Sequence, residues 1–214
     1  MRRRNGIFIA YCDLLLVIVA LLIVSVAPKK IEEGVKVYAE YQVSIEWNEH
    51  LDDDVDLWAL GPTDREKPCF YKSTEVGPLF LDRDSRGFMD DRLKVDGEYK
   101  YLPHREVMTV RGIVPGRYDF SIHLYKARDT GAMRDPHNLG IVVNVEVQKI
   151  NPRSRVIFRK SATLQYEGDA INVWSMDVKP DGGFIEQEPP VEPISSRFYR
   201  VDAQSGAAHP PQVP

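Results

Sequence analysis

The feature that most constrains this chain is a long apolar run near its start, from Ile7 to Ala27. Apart from Asp13, it is apolar over about 20 positions, and at 1.5 Å per residue such a helix can cross a hydrocarbon layer of about 30 Å. Three arginines, Arg2 to Arg4, precede the run, and positive charge on that side places the N-terminus in the cytoplasm. The run therefore predicts one transmembrane helix over 7–27, after a basic cytoplasmic segment over 1–6 and with the rest of the chain outside.

Asp13 is the unusual residue of this run. It lies about 9 Å along the helix axis from Ile7, where a carboxylate costs several kcal/mol unless it is protonated, paired or exposed to water. We therefore expect Asp13 to carry a proton or to bind a partner. Three alternatives remain: polar packing between helices, a tolerated acid near the inner interface, and a cleaved signal peptide ending at Ser25-Val26-Ala27.

The order Tyr11-Cys12-Asp13, Leu14 to Val26 and Ala27-Pro28 resembles the single transmembrane helix of the ExbD, TolR and MotB proteins. The resemblance covers about 28 of the 214 residues. It implies an ion-driven motor subunit, with Asp13 as the proton-carrying residue. It also implies a homodimer inside a ring of a polytopic partner similar to ExbB, TolQ or MotA.

Beyond the apolar run, apolar and polar residues alternate with a period of two, which is typical of strands with one buried face. The runs are separated by Gly-Pro, Pro-Gly, Asp-Gly and Asn-Pro pairs that favour turns. They lie at 37–47, 54–60, 68–72, 78–81, 105–112, 117–125, 140–148, 153–166 and 170–178. They predict an antiparallel β-sandwich over residues 37–180, joined to the helix by a linker over 28–36.

From residue 181 the chain is rich in Pro and Gly and has few apolar residues, which predicts a flexible tail over 181–214. The expected fold class is therefore a single-pass membrane protein of the bacterial inner membrane. It has an N-terminal transmembrane helix, a periplasmic all-β sandwich and a disordered tail.

The charges and the cysteines narrow the choice of partners and cross-links. The net charge is −4 and no basic face appears beyond the N-terminus, so nucleic acid is an unexpected partner. Cys12 lies in the predicted membrane span and cannot pair with Cys69 of the same chain. We expect Cys69 to be a buried thiol, with an intermolecular bridge as the alternative.

Acidic clusters suggest calcium. Asp52, Asp53, Asp54 and Asp56 stand at the start of one predicted strand. The segment LDRDSRG contains Asp82 and Asp84 and is followed by Asp90 and Asp91. Carboxylates at alternating loop positions before a glycine are ligands that Ca²⁺ prefers, so Asp82, Asp84 and Asp90 are the candidate ligands. The alternative is a solvated turn in which the aspartates cap their own backbone.

The segments DVDLWALGP, LDRDSRG and PGRYDFSIHLY, with Glu106 before a strand, resemble an uncharacterised family of bacterial β domains of YfaP type. The resemblance implies a β-sandwich and no defined activity.

The sequence indicates no enzyme. Its histidines have no metal-ligand spacing, and it has neither a Gly-x-Ser-x-Gly segment nor a glycine-rich phosphate loop. Two functions remain open. One is a proton-driven motor subunit whose periplasmic domain transmits force or docks. The other is a passively anchored periplasmic binding or adaptor domain that could bind calcium. Asp13 discriminates between them, because an inert anchor has no use for it.

Overall fold

The computed structural model describes residues 13–19, 38–128, 140–198, 200–201 and 208–209. The chain divides into two compact units, Met1–Lys36 and Val37–Pro214. In the first unit the described residues form a helix of a little under two turns, about 10 Å long. The second unit is built almost entirely of β-strands.

No helix in these described ranges is long and apolar enough to cross a membrane. Residues 13–19 are helical, but seven residues cover only about a third of a hydrocarbon layer of roughly 30 Å. This finding contradicts the predicted transmembrane helix over 7–27, and with it the single-pass fold class and the inner-membrane localisation. The remainder of that span, the segment before it and the linker after it lie outside the described residues, at 1–12 and 20–36.

The second unit contains fourteen described strands. In chain order they are β1 (Ala39–Trp47), β2 (Asp54–Leu60), β3 (Glu75–Val76), β4 (Leu79–Arg83), β5 (Arg92–Val95), β6 (Glu98–Tyr101), β7 (His104–Arg111), β8 (Gly116–Lys126), β9 (Ile141–Lys149), β10 (Arg155–Leu164), β11 (Ala170–Val178), β12 (Phe184–Gln187), β13 (Arg200–Val201) and β14 (Ala208–His209). A 3₁₀-helix spans Gly87–Met89 and a short α-helix spans Ile194–Phe198.

The larger strands form two antiparallel sheets. One has six strands in the order β10-β9-β1-β7-β4-β3, and the other has four in the order β12-β11-β8-β2. Two short hairpins, β5-β6 and β13-β14, stand apart from these sheets. Strand β2 is therefore an edge of the four-stranded sheet, a position that matters for the site described below.

Alternate side chains of both sheets meet in one hydrophobic core. Strand β1 contributes Tyr41, Val43, Ile45 and Trp47 on the inward face, as the period of two requires. Strand β8 of the other sheet contributes every second residue from Tyr118 to Leu124 to the same core. The two sheets therefore pack face to face, with their apolar faces buried together.

The chain between 181 and 198 is part of this unit, so the predicted flexible tail is wrong over that stretch. Strand β12 pairs with β11, and Phe184 packs edge-on against the rings of Tyr41 and Trp174. The helix Ile194–Phe198 buries Ile194 against the outer face of the four-stranded sheet. A few apolar residues spaced along a polar segment therefore hold it on a surface made by distant strands.

Cys69 is fully buried and has a free thiol, as the sequence predicts. Burial raises the pKa of this thiol to about 12. Its backbone bridges Ala59 of β2, so the predicted strand over 68–72 is reduced to isolated bridges at Cys69 and Phe70.

Candidate metal centre

Three carboxylates converge at β2, the edge strand of the four-stranded sheet: Asp56, Asp84 and Glu106. Each offers one oxygen, and these oxygens all lie within 4.8 Å of one another. Asp56 and Glu106 are buried, whereas Asp84 is exposed. The three residues come from β2, from the loop after β4 and from β7, so tertiary structure alone brings them together.

The alternation of side chains along β2 sets the direction in which Asp56 points. Val55, Leu57 and Ala59 point into the main core, so Asp54 and Asp56 point to the opposite face of the strand. Because other parts of the chain cover that face, every residue of β2 is buried. The backbone N–H of Leu57 donates a hydrogen bond of 2.6 Å to Oε2 of Glu106.

Glu106 shares the inward phase of β7 with the core residues Met108 and Val110. Its other oxygen, Oε1, accepts a weaker contact of 3.4 Å from the backbone N–H of Ser85. A carboxylate at an apolar position is costly to bury, so this placement indicates a requirement for the charge or for its hydrogen bonds.

A buried polar network holds the loop that carries Asp84. The hydroxyl of Ser85 donates to Asp91, and His104 Nδ1 lies 2.9 Å from the same carboxylate. Arg83 pairs with the second oxygen of Asp91. Because Ser85, Asp91 and His104 are fully buried, this network fixes the backbone next to Asp84.

Gly87 lets the same loop approach the segment before β2. Its φ is +76°, and a Cβ added there would lie 2.5 Å from Oδ1 of Asp52. That oxygen accepts a hydrogen bond of 2.9 Å from the backbone N–H of Phe88. Only glycine combines this left-handed backbone with so close a contact.

The electrostatics of the cluster favour a bound cation. Burial, and next the charge of Asp84, raise the pKa of Asp56 well above its ordinary value. Burial, and next the charge of Asp56, raise the pKa of Glu106 in the same way. A side-chain hydrogen bond from Trp58 opposes this rise in the pKa of Asp56, and His123 Nδ1 lies 3.7 Å from the buried Oδ2 of Asp56. Burial lowers the pKa of His123 to about 4, so its ring is neutral at pH 7 and supplies no positive charge.

A second group of oxygens adjoins the cluster. Asp54 lies two residues before Asp56 on the same face of β2, and the Arg128 guanidinium donates to its Oδ2 at 2.9 Å. Burial, followed by the charge of Asp56, raises the pKa of Asp54 to about 7 although Arg128 opposes the shift. The acidic pocket therefore extends from Glu106 at one end to Asp54 at the other.

The structure separates the three residues that the sequence predicted as calcium ligands. Asp84 lies in the carboxylate cluster. Asp82 accepts hydrogen bonds from Thr109 and Arg111, and Asp90 pairs with Arg86. Asp13 begins the described helical residues of the other unit.

Asp56 and Glu106 are the members of the cluster that the predicted ligand set lacks. The signal for Asp56 is an acid on a strand whose other residues are largely apolar. For Glu106, the signal is an acid in the apolar phase of REVMTVRG. Neither signal reveals a partner, because the three residues lie far apart in the sequence.

A surface groove of about 560 Å³ lies elsewhere, on the six-stranded sheet. Its lining includes Glu146, which pairs with Arg159 across the neighbouring strands. The groove is exposed, and it is a weaker candidate than the buried carboxylates because its acids stand among basic side chains.

No protein-family model matches the chain, and no curated protein matches its sequence. Among solved structures, one similar chain is a homologue of telluride resistance protein (TerD) from Streptomyces coelicolor A3(2). It is 13% identical, with a TM-score of 0.41 and coverage of 71% of this chain and 89% of that chain. Another is a protein of unknown function, which is 15% identical with a TM-score of 0.38, covering 74% and 91% of the two chains. Likeness at this level assigns no function, and the site stands on its own geometry.

These findings correct the family resemblances. No family model or curated protein supports the ExbD, TolR and MotB resemblance or the YfaP-type resemblance. No described helix spans a membrane. The predicted motor function with Asp13 as proton carrier is therefore wrong, as are the ExbB-, TolQ- or MotA-like partner and the membrane-anchored adaptor.

Proposed function

We propose that this β domain binds a divalent cation, with Ca²⁺ as the best fit, at Asp56, Asp84 and Glu106. The observation that carries the proposal is the convergence of three carboxylate oxygens within 4.8 Å of one another, two of which belong to the buried side chains of Asp56 and Glu106. Burial of neighbouring carboxylates is costly, and a bound metal ion is the simplest compensation.

Repulsion within the cluster supports a cation. Two ionised carboxylates whose oxygens lie within 4.8 Å of each other repel by about 3.5 kcal/mol or more at an effective dielectric constant near 20. The cluster can avoid this cost by holding protons, as the raised pKa values of Asp56 and Glu106 indicate, or by binding a positive ion. A divalent ion neutralises two charges at once.

The donor set favours Ca²⁺ over the alternatives. All three donors are carboxylate oxygens, whereas Zn²⁺ sites mostly use His and Cys ligands. Mg²⁺ demands near-ideal octahedral geometry, whereas Ca²⁺ takes six to eight oxygens in irregular arrangements that include water. Since Asp84 is exposed, water can complete the shell on that side.

Binding would join parts of both sheets. The ion would tie β2 of the four-stranded sheet to β7 of the six-stranded sheet and to the loop after β4. We therefore propose a cation-binding β domain rather than an enzyme, in which the ion stabilises the packing at the edge strand β2.

Two measurements on the chelator-treated full chain test the proposal. Calorimetric titration with CaCl₂ gives the dissociation constant. Thermal unfolding should then show a melting temperature raised by about 5–10 °C at a Ca²⁺ concentration 100-fold above that constant. Asp84→Asn removes one charge at an exposed position, so the fold should persist while Ca²⁺ affinity falls by about tenfold or more.

Asp82→Asn is the matched control. Asp82 stands two residues from Asp84 but pairs with Arg111, so its replacement should leave Ca²⁺ affinity within about twofold. Equal loss in the two variants would point to a diffuse charge effect. Wild-type protein that neither binds Ca²⁺ nor gains thermal stability from it would contradict the proposal.

A further inference from the structure

Arg128 places a positive group at the end of the acidic pocket. Its guanidinium donates to Oδ2 of Asp54 at 2.9 Å and to the backbone carbonyl of Arg86 at 2.7 Å. The same group lies 3.9 Å from Oδ1 of Asp52. Two carboxylates and one backbone carbonyl thus surround a cation that the chain itself supplies.

These oxygens are of the types that would otherwise complete a Ca²⁺ shell. Asp54 lies two residues before Asp56 on the same face of β2, where such neighbours stand about 7 Å apart along the strand. Its carboxylate is 5% exposed and has little access to water. Asp54 is outside the group of oxygens that lie within 4.8 Å of one another, and Arg128 engages its Oδ2, so it can serve as a fourth carboxylate only when Arg128 releases it.

We propose that Arg128 is a tethered cation that competes with the divalent ion for Asp54 and so limits the Ca²⁺ affinity of the centre. The inference rests on the proposed function. While Arg128 holds Asp54, the ion has the three carboxylates of Asp56, Asp84 and Glu106. Release of Arg128 leaves a buried carboxylate without its ion pair beside the bound metal.

Neighbouring arginines are engaged elsewhere. Arg86 forms a fork with the carboxylate of Asp90, and Arg83 pairs with Asp91. The guanidinium of Arg128 is 31% exposed, so it can leave Asp54 for water at modest cost. Of these three arginines, Arg128 is therefore the one whose guanidinium a bound Ca²⁺ would displace from its carboxylate partner.

Calorimetric titration with CaCl₂ at fixed ionic strength, on full-length wild type, Arg128→Gln and Arg86→Gln, tests this role. Arg128→Gln should raise Ca²⁺ affinity by about fivefold or more, because the competing ion pair is gone. Arg86→Gln removes the same charge from the same neighbourhood but frees Asp90 rather than Asp54. It should change the affinity by less than about twofold.

The outcomes separate the two proposals. Ca²⁺ binding that is unchanged or weaker in Arg128→Gln, or a rise that Arg86→Gln matches, overturns the tethered-cation role and leaves calcium binding in place. If wild type binds no Ca²⁺ and Arg128→Gln binds it, the competition is supported and the proposed function of the natural chain fails. If neither binds it, both fail. Should Arg128→Gln not fold by circular dichroism, Arg128→Met keeps the aliphatic stem and provides the same test.

Discussion

Asp119 and Asp56 are both almost fully buried on the four-stranded sheet, yet their surroundings differ. Asp119 accepts hydrogen bonds from Ser175, Arg65 and Arg117. Burial acts to raise the pKa of Asp119, but these three donors outweigh it, so the pKa lies below its ordinary value. Asp56 faces two other acids, and burial raises its pKa. Three donors stabilise the charge of Asp119, whereas two neighbouring acids oppose the charge of Asp56, which makes Asp56 the functional candidate.

Asp119 should therefore contribute to stability in a pH-dependent way. Its folded pKa lies below the unfolded value of about 3.9, so its contribution is present above that value and is lost as the pH falls through the folded pKa. Asp119→Asn should lower the free energy of unfolding by about 1.5–3 kcal/mol at pH 7 and by clearly less at pH 3. Urea unfolding at the two pH values measures this. Glu98→Gln, on the exposed hairpin strand β6, is the control and should have little effect at either pH. An equal cost for Asp119→Asn at both would refute the assignment.

At the scale of elements, the segment from Asp84 to Asp91 is the part of the site whose backbone conformation sets the position of a ligand, Asp84. Its two ends are fixed by hydrogen bonds from Ser85 to Asp91 and from Arg86 to Asp90. In the middle of the segment, Gly87 lies close to Asp52, and the backbone N–H of Phe88 donates a hydrogen bond to the Asp52 carboxylate. The position of Asp84 therefore depends on contacts that are themselves remote from the proposed ion.

Gly87→Ala tests this dependence, and the hairpin turn supplies a matched control. Gly87 and Gly97 both have positive φ, of 76° and 93°, but a Cβ at Gly97 would meet nothing within 4 Å. Gly97→Ala should cost about 1–2 kcal/mol of backbone strain alone. Gly87→Ala should cost more in urea unfolding and should also weaken Ca²⁺ binding, since the loop must move from Asp52. Equal stabilities and equal Ca²⁺ affinities in the two variants would show that the loop contact is unimportant.

The same elements show which parts of the fold and of the site can be predicted from the sequence. Strand β2 begins and ends at the residues predicted from the run DVDLWAL, although the structure buries both faces of the strand rather than one. The β5-β6 hairpin was missed although Asp96-Gly97 is a strong turn signal, since its strands are short and largely exposed. The apolar run near the N-terminus led to the wrong function, because the prediction rested on local hydropathy, and no helix among the described residues is long and apolar enough to cross a membrane. The site itself depends on long-range pairing that no local pattern contains.

At the scale of the whole β unit, the two sheets bury one main core and the four-stranded sheet carries a second cluster on its outer face. That cluster contains Trp58 stacked on Phe70 with ring centroids 4.0 Å apart, and Ile194 packs against them. Asn172 on β11 donates to the backbone carbonyls of Pro190 and Glu192, which holds the segment leading to the helix. The polar composition of this stretch concealed its role, because only a few contacts hold it on the sheet: the two hydrogen bonds from Asn172 and the packing of Ile194 and Phe198.

Ile194→Ala should therefore destabilise the whole β unit, although the residue lies in a segment whose composition predicts a flexible tail. Ile194 is 2% exposed, and truncation of a buried isoleucine costs about 2–5 kcal/mol of unfolding free energy. Val191→Ala, three residues earlier at a fully exposed side chain, should change stability by less than about 0.5 kcal/mol. Urea unfolding followed by tryptophan fluorescence measures both, and a red-shifted native emission in Ile194→Ala would report water reaching Trp58. If the two variants are equally stable, the helix is not part of the folded unit and the outer face of the sheet is stable without it.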